Sequence, residues 1–158
     1  MLASLALVAA VAAPAKSSNA FLTDFAGSWR CSAKGETPSL WRIGRVPGSR
    51  WVRVDWGIRP NGLPSGSAFV GYIPSRGIWL YRDFHGGGSY ANMHGTRASD
   101  GTWTWNGPFY PYAAPRGSAP LLGRITWKRS DARHVLRTFA SYDRGTLVPH
   151  GGDTCTAQ

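Results

Sequence analysis

Asp83 and His85 lie two residues apart, a spacing that puts both on one face of an extended segment and suits a carboxylate and an imidazole to acid and base work. No nucleophile or second carboxylate stands beside them in the sequence, so the commonplace reading, a strand-end Asp next to a turn His, weighs more. His85-Gly86-Gly87-Gly88 is a glycine run of the kind that offers backbone donors to an oxyanion. That use needs a G-x-S-x-G elbow on an α/β sheet, and neither is present, which leaves a glycine-rich hairpin turn as the expectation. The four histidines, His85, His94, His134 and His150, are 9, 40 and 16 residues apart. Without an H-x-H or H-x-x-x-H pair the sequence calls for no metal and no cofactor, and no catalytic set is assigned.

The aromatic residues carry more information. Eight Trp in a chain of 158 residues exceed the ordinary needs of a core, and an aromatic-lined cavity with a few polar groups describes a small-molecule site. A small barrel packed with its own side chains, or an aromatic outer surface for glycan or peptide, remain the alternatives. The two cysteines, Cys31 and Cys155, read as a disulfide if the protein is exported.

The elements that must position these groups are strands. From Phe25 onward, short aromatic and β-branched segments are interrupted every 8 to 12 residues by Gly, Pro, Asn or Asp. Candidate strands lie near 25–32, 40–46, 50–57, 67–74, 77–84, 88–97, 102–109, 121–129, 134–142 and 152–156. Pro47-Gly48, Pro60-Asn61-Gly62, Asp100-Gly101 and Asp143-Arg144-Gly145 supply turns. Such short connections pair sequence neighbours antiparallel, and a sheet of this many strands removes its edges by closing. The fold expected is all-β, a single antiparallel up-and-down barrel of about 8 to 10 strands. In Val52 to Trp56, Trp103 to Asn106 and Leu121 to Lys128, apolar and polar residues alternate: Val52, Val54, Trp56, Trp103, Trp105, Leu121, Ile125 and Trp127 share one side, and Arg53, Asp55, Arg124 and Lys128 the other. For the last two long strands the faces are mixed. Residues 107–120, with four prolines, form a loop that either caps a mouth or merely spans two strands.

The first stretch, MLASLALVAAVAAPA, is apolar and uncharged and runs into small-residue triplets ending at Ala15 and Ala20. It is expected to be a secretory signal, with residues 1–20 removed and 21–158 forming one domain that is extracytoplasmic, periplasmic or secreted, monomeric and without a membrane span. The formal charge of +10 loses one unit with Lys16. Its arginines are scattered from Arg30 to Arg144, which argues against specific nucleic-acid binding and for plain solubility.

Phe25-Ala26-Gly27-Ser28-Trp29-Arg30-Cys31 resembles the G-x-W opening of lipocalin-like (calycin) barrels, and Gly95, Asp100 to Gly107, Arg124 to Trp127 and Asp153 to Cys155 resemble small secreted bacterial members of that group. The resemblance implies a central cavity, and a first-strand Trp packed beneath a late Arg, for which Arg137 and Arg144 are the candidates. The function expected is binding of a small hydrophobic or amphipathic ligand, anionic ones included, with Trp103 and Trp105 as contact surface and Arg124 at its head group. A cofactor-independent calycin-type cyclase or lyase, or a basic module on an acidic envelope polymer, are the alternatives. The last of these predicts that retention on a polyanion column drops steeply as salt rises, and retention no stronger than that of a neutral barrel counts against it.

Overall fold

The computed structural model describes residues 19–115 and 117–158, so most of the expected signal segment, residues 1–18, lies outside the described residues. Ten strands follow one another in chain order: β1 (Gly27–Ala33), β2 (Ser39–Arg45), β3 (Val52–Ile58), β4 (Gly66–Ile73), β5 (Ile78–His85), β6 (Tyr90–Arg97), β7 (Trp103–Tyr110), β8 (Leu121–Arg129), β9 (His134–Asp143) and β10 (Thr146–Ala157). Each pairs antiparallel with its sequence neighbours, and β1 pairs with β10, giving a closed barrel. Tight turns account for the neighbour pairing. Asp100 accepts from the Thr102 amide at 3.0 Å, the Thr102 hydroxyl at 2.9 Å and Lys128 Nζ at 3.1 Å. Those donors, the Thr102 amide first, hold its carboxyl at about 2. The β9–β10 hairpin turns on Arg144 and Gly145, both with positive φ (47° and 83°), the backbone of a tight two-residue hairpin.

Alternation decides what faces the lumen. Val52, Val54, Ala68, Val70, Trp79, Tyr81, Ala91, Met93, Trp103, Trp105, Ile125 and Trp127 are buried, while their chain neighbours Arg53, Arg82, Asn92 and Lys128 are exposed. Leu121, expected on the inner side, is 45% exposed because β8 begins at the barrel rim. The expected last strand, 152–156, is only half of β10. The run Val148-Pro149-His150-Gly151, outside the expected strands, is strand with a register shift between Pro149 and Gly151, the kind of irregularity that admits a proline into a ladder.

A short helix, α1 (Ala20–Phe25), closes one end and was not expected. Six residues cannot sustain a helix alone, and they show too little apolar periodicity to be recognised. Its order comes from tertiary contacts. Phe21 and Phe25 are fully buried, and the Phe21 ring lies 5.4, 5.8 and 5.7 Å from Trp103, Trp105 and Trp127. Asp24 accepts from Trp103 Nε1 and Arg97 Nε, both at 2.7 Å, and its backbone carbonyl accepts from Arg129 at 3.0 Å. Trp29 Nε1 donates to the Phe25 carbonyl at 2.9 Å. The Arg above Trp29 is Arg129, 5.6 Å from the ring, and not Arg137 or Arg144. Arg129 ends β8 at this closed end, Arg144 occupies a turn at the other end, and Arg137 faces the lumen over Trp41 and Trp127.

Cys31 and Cys155 are direct register partners across the closing seam, with Cα atoms 4.0 Å apart, and are joined by a disulfide inside the barrel. The separation is shorter than the roughly 5.5 Å typical of disulfides, as befits residues directly opposed on adjacent strands. The bond spans 124 residues, so it removes much of the closure entropy. Cys31→Ser is expected to retain β content in far-UV circular dichroism, lower Tm by roughly 5 to 10 °C, and raise protease sensitivity at 21–32 and 147–158. An unchanged Tm would show that the seam closes as firmly without it.

Candidate functional site

The end of the barrel opposite α1 is built differently. There β5 ends in His85, followed by the Gly86–Gly88 turn, in which the Gly88 amide donates to the His85 carbonyl at 2.8 Å. The HGGG run is thus a hairpin turn. Behind it the lumen is unfilled: a cavity of about 140 Å³ is lined by Asp83, His85, Phe109, Ile125, Arg137 and Phe139. Pleating explains the set. Asp83 and His85 share the inward side of β5, and Arg137 and Phe139 the inward side of β9, where Phe139 is the register partner of Ile125. Phe109 and Phe139 meet edge to face with centroids 5.4 Å apart.

The polar members are unusual for a core. Asp83 is 1% exposed, and its Oδ2 is 3.6 Å from His85 Nε2, beyond hydrogen-bond range but close enough for an ion pair when the imidazole is protonated. His85 keeps 35% side-chain exposure, so the pair runs from the mouth to the interior. Arg137 donates to Asp153 Oδ2 at 3.1 Å, its register partner on β10. Burial opposes the Arg137 charge, but the surrounding anionic groups, the Asp153 and Asp83 carboxylates among them, outweigh it and leave the guanidinium above its ordinary range. Tyr81, fully buried, is pushed well above the ordinary phenol value by burial first and by the Asp83 charge second, against a smaller opposing effect of Arg137. Tyr81 is therefore a neutral hydroxyl in this site and not a base. Among the described residues, five buried polar atoms make no hydrogen bond: Tyr81 Oη, Asp83 Oδ1, Arg137 Nε, Trp105 Nε1 and Trp127 Nε1. Native interiors satisfy such groups with protein, water or ligand. At the same end the Ser141 hydroxyl and His150 Nε2 are 2.6 Å apart, with His150 5.4 Å from the Phe139 ring.

Trp103 and Trp105 face the lumen, fully buried, stacked at 5.4 Å on each other and packed against Phe21. They belong to the filled half. Trp105 lies flat on Gly95, where a Cβ would come within 2.1 Å of the indole. Arg124 is not brought to them: alternation turns it to the outer wall, where it donates to Asn106 Oδ1 at 2.9 Å and to the Tyr142 hydroxyl. The cation inside is Arg137. Its strand, HVLRTFAS, mixes polar and apolar residues on both faces, so only the register with β8 and β10 reveals that Arg137 points in. Asp55 is on the outer wall with Arg53 Nε at 2.8 Å, and His134 pairs with Asp131 at 2.8 Å. Among the described residues, no group of three or more His, Cys, Asp and Glu could hold a metal ion, and no helix is long and apolar enough to cross a membrane. Comparison with protein-family models and with curated proteins finds no match to this chain.

The Tyr81 environment has a measurable sign. Its raised folded value means that stability is intact below the unfolded phenol value near 10 and declines as pH rises beyond it. In an alkaline titration followed by tyrosinate absorbance, Tyr81→Phe should leave the amplitude of the folded protein unchanged and reduce only the step that accompanies unfolding. A loss of amplitude before unfolding would mean that Tyr81 ionises in place.

Proposed function

We propose that this is an exported, lipocalin-like barrel that binds one small amphipathic molecule in the mouth cavity. The observation that carries the reading is the set of unpartnered polar atoms on residues in and beside an otherwise apolar cavity, Asp83 Oδ1 and Arg137 Nε on its lining and Tyr81 Oη deeper. Each buried group left unpaired costs about 1 to 3 kcal/mol, which a complementary ligand recovers. The volume equals that of about five waters in the liquid, the size of a compact organic molecule. Asp83 and Asp153 more than offset the single charge of Arg137, so the site does not call for an anion, and the ligand's polar end is uncharged, offering an acceptor to Arg137 Nε and a donor to Asp83 Oδ1. Its apolar part packs on Phe109, Ile125 and Phe139. The disulfide and the apolar leader support export, since such bonds persist in oxidising compartments.

A second reading draws on Asp83 and His85 lining the same cavity beside Arg137: the site can pass a proton between solvent and a bound substrate, the chemistry of a cofactor-independent cyclase or lyase.

Native mass spectrometry of protein purified from its own host tests the main reading. A bound small mass is expected in the wild type and should be lost in Ile125→Phe, which fills the cavity. No bound mass in the wild type, with only ordered water in the cavity, overturns the reading. If the bound molecule is converted on incubation, and Asp83→Asn binds but does not convert it, the second reading takes its place.

A further inference from the structure

The outer wall carries a second concavity that the lumen does not explain. A groove of about 370 Å³ lies between the β2–β3 hairpin and the outer faces of β4 and β5, lined by Val46, Ser49, Trp51, Phe69, Arg82 and Phe84. Its wall is held in place by the fold. The Val46 amide donates to the Trp51 carbonyl at 2.9 Å, and the Trp51 amide donates to Ser49 Oγ at 3.1 Å, which sets the hairpin. The indole then lies on β4 at Gly71, where a Cβ would come within 2.6 Å of the ring. Phe69, Arg82 and Phe84 point outward because Ala68, Val70, Tyr81 and Asp83 point inward, so this groove and the mouth cavity are on opposite sides of the same sheet.

Charge identifies the occupant. Arg53, Phe69 and Arg82 form one row across β3, β4 and β5. Arg53 is neutralised by Asp55 at 2.8 Å. Arg82 contacts only the neutral Asn92 Oδ1, at 3.3 Å, and has no carboxylate partner among the described residues. An apolar groove with an uncompensated guanidinium at its side, within the roughly 300 to 1,000 Å³ range of small-molecule sites, matches a molecule with an apolar body and one anionic end. Phe84, 51% exposed in the free protein, gains a covering partner when that body is seated. We propose that this groove is a second ligand site for a free amphipathic carboxylate, with the apolar body on Trp51, Phe69 and Phe84 and the carboxylate on Arg82.

Calorimetric titration with octanoate and with octanol of equal chain length tests it. The wild type should bind octanoate more tightly than octanol. Arg82→Gln, at an exposed position, should weaken octanoate by roughly tenfold, the value of a charge-assisted hydrogen bond, and leave octanol unchanged; Phe84→Ser should weaken both. Arg30→Gln, an exposed arginine on the outer face of β1 and away from both cavities, should alter neither, and because Arg82 and Phe84 face away from the lumen their effects do not depend on the mouth cavity. Octanoate binding that is indifferent to Arg82→Gln, or that falls as much with Arg30→Gln, overturns the proposal. So does binding seen only to vesicles of anionic phospholipid, which would make the groove a membrane contact.

Discussion

The pairing of β1 with β10 is the contact on which the rest of the barrel depends. Every other strand pair is made by a connection between neighbours in sequence, whereas this one joins the two ends of the domain. Without it the sheet has two open edges whose unpaired amides and carbonyls invite association, and the inward side chains lose their common interior. Cys31 and Cys155 sit in the middle of this ladder, opposed in register, and the bond between them turns the least local pairing into a covalent one. Both sulfur-bearing residues face inward among Trp29, Trp41, Ile43, Trp127 and Val135, so the staple is part of the core.

Closure creates a lumen whose two halves follow different rules. Toward α1 it is filled: Phe21 and Phe25 enter from the helix, the indoles of Trp103, Trp105 and Trp127 pack around them, and Asp24 collects donors from β6, β7 and β8. Toward the mouth it holds Asp83, His85 and Arg137 around an open volume, with Tyr81 buried. The filled half supplies the burial that stabilises the barrel, which lets the other half retain buried polar atoms that stability alone would not favour.

The wall itself separates two chemistries. Because successive residues on β4 and β5 face opposite ways, Phe69, Arg82 and Phe84 make an exposed aromatic and cationic surface directly behind Ala68, Tyr81 and Asp83. Many of the basic side chains lie on such outward positions, Arg42, Arg53, Arg82 and Lys128 among them, each alternating with a buried neighbour.

Strand number, neighbour pairing, closure and the cysteine bridge were legible in the sequence, because turn residues at short intervals and period-two alternation are local properties that the chain states directly. The inward placement of Val52, Val54, Trp103, Trp105, Ile125 and Trp127, and the outward placement of Arg124, followed from the same alternation. Three features required the tertiary structure. The α1 helix is too short to announce itself and exists because Phe21 and Asp24 find partners on distant strands. The start of β10 contains Pro149 and glycines that interrupt the strand pattern, and the register with β9 carries the ladder through them. The orientation of Arg137 was undecidable in a strand of mixed faces, and pairing with Asp153 and the stacking beneath it decided that this cation, and not Arg124, shares the lumen with Asp83. Local pattern determines which way a residue can face, but which inward residues meet depends on the register of strands far apart in sequence.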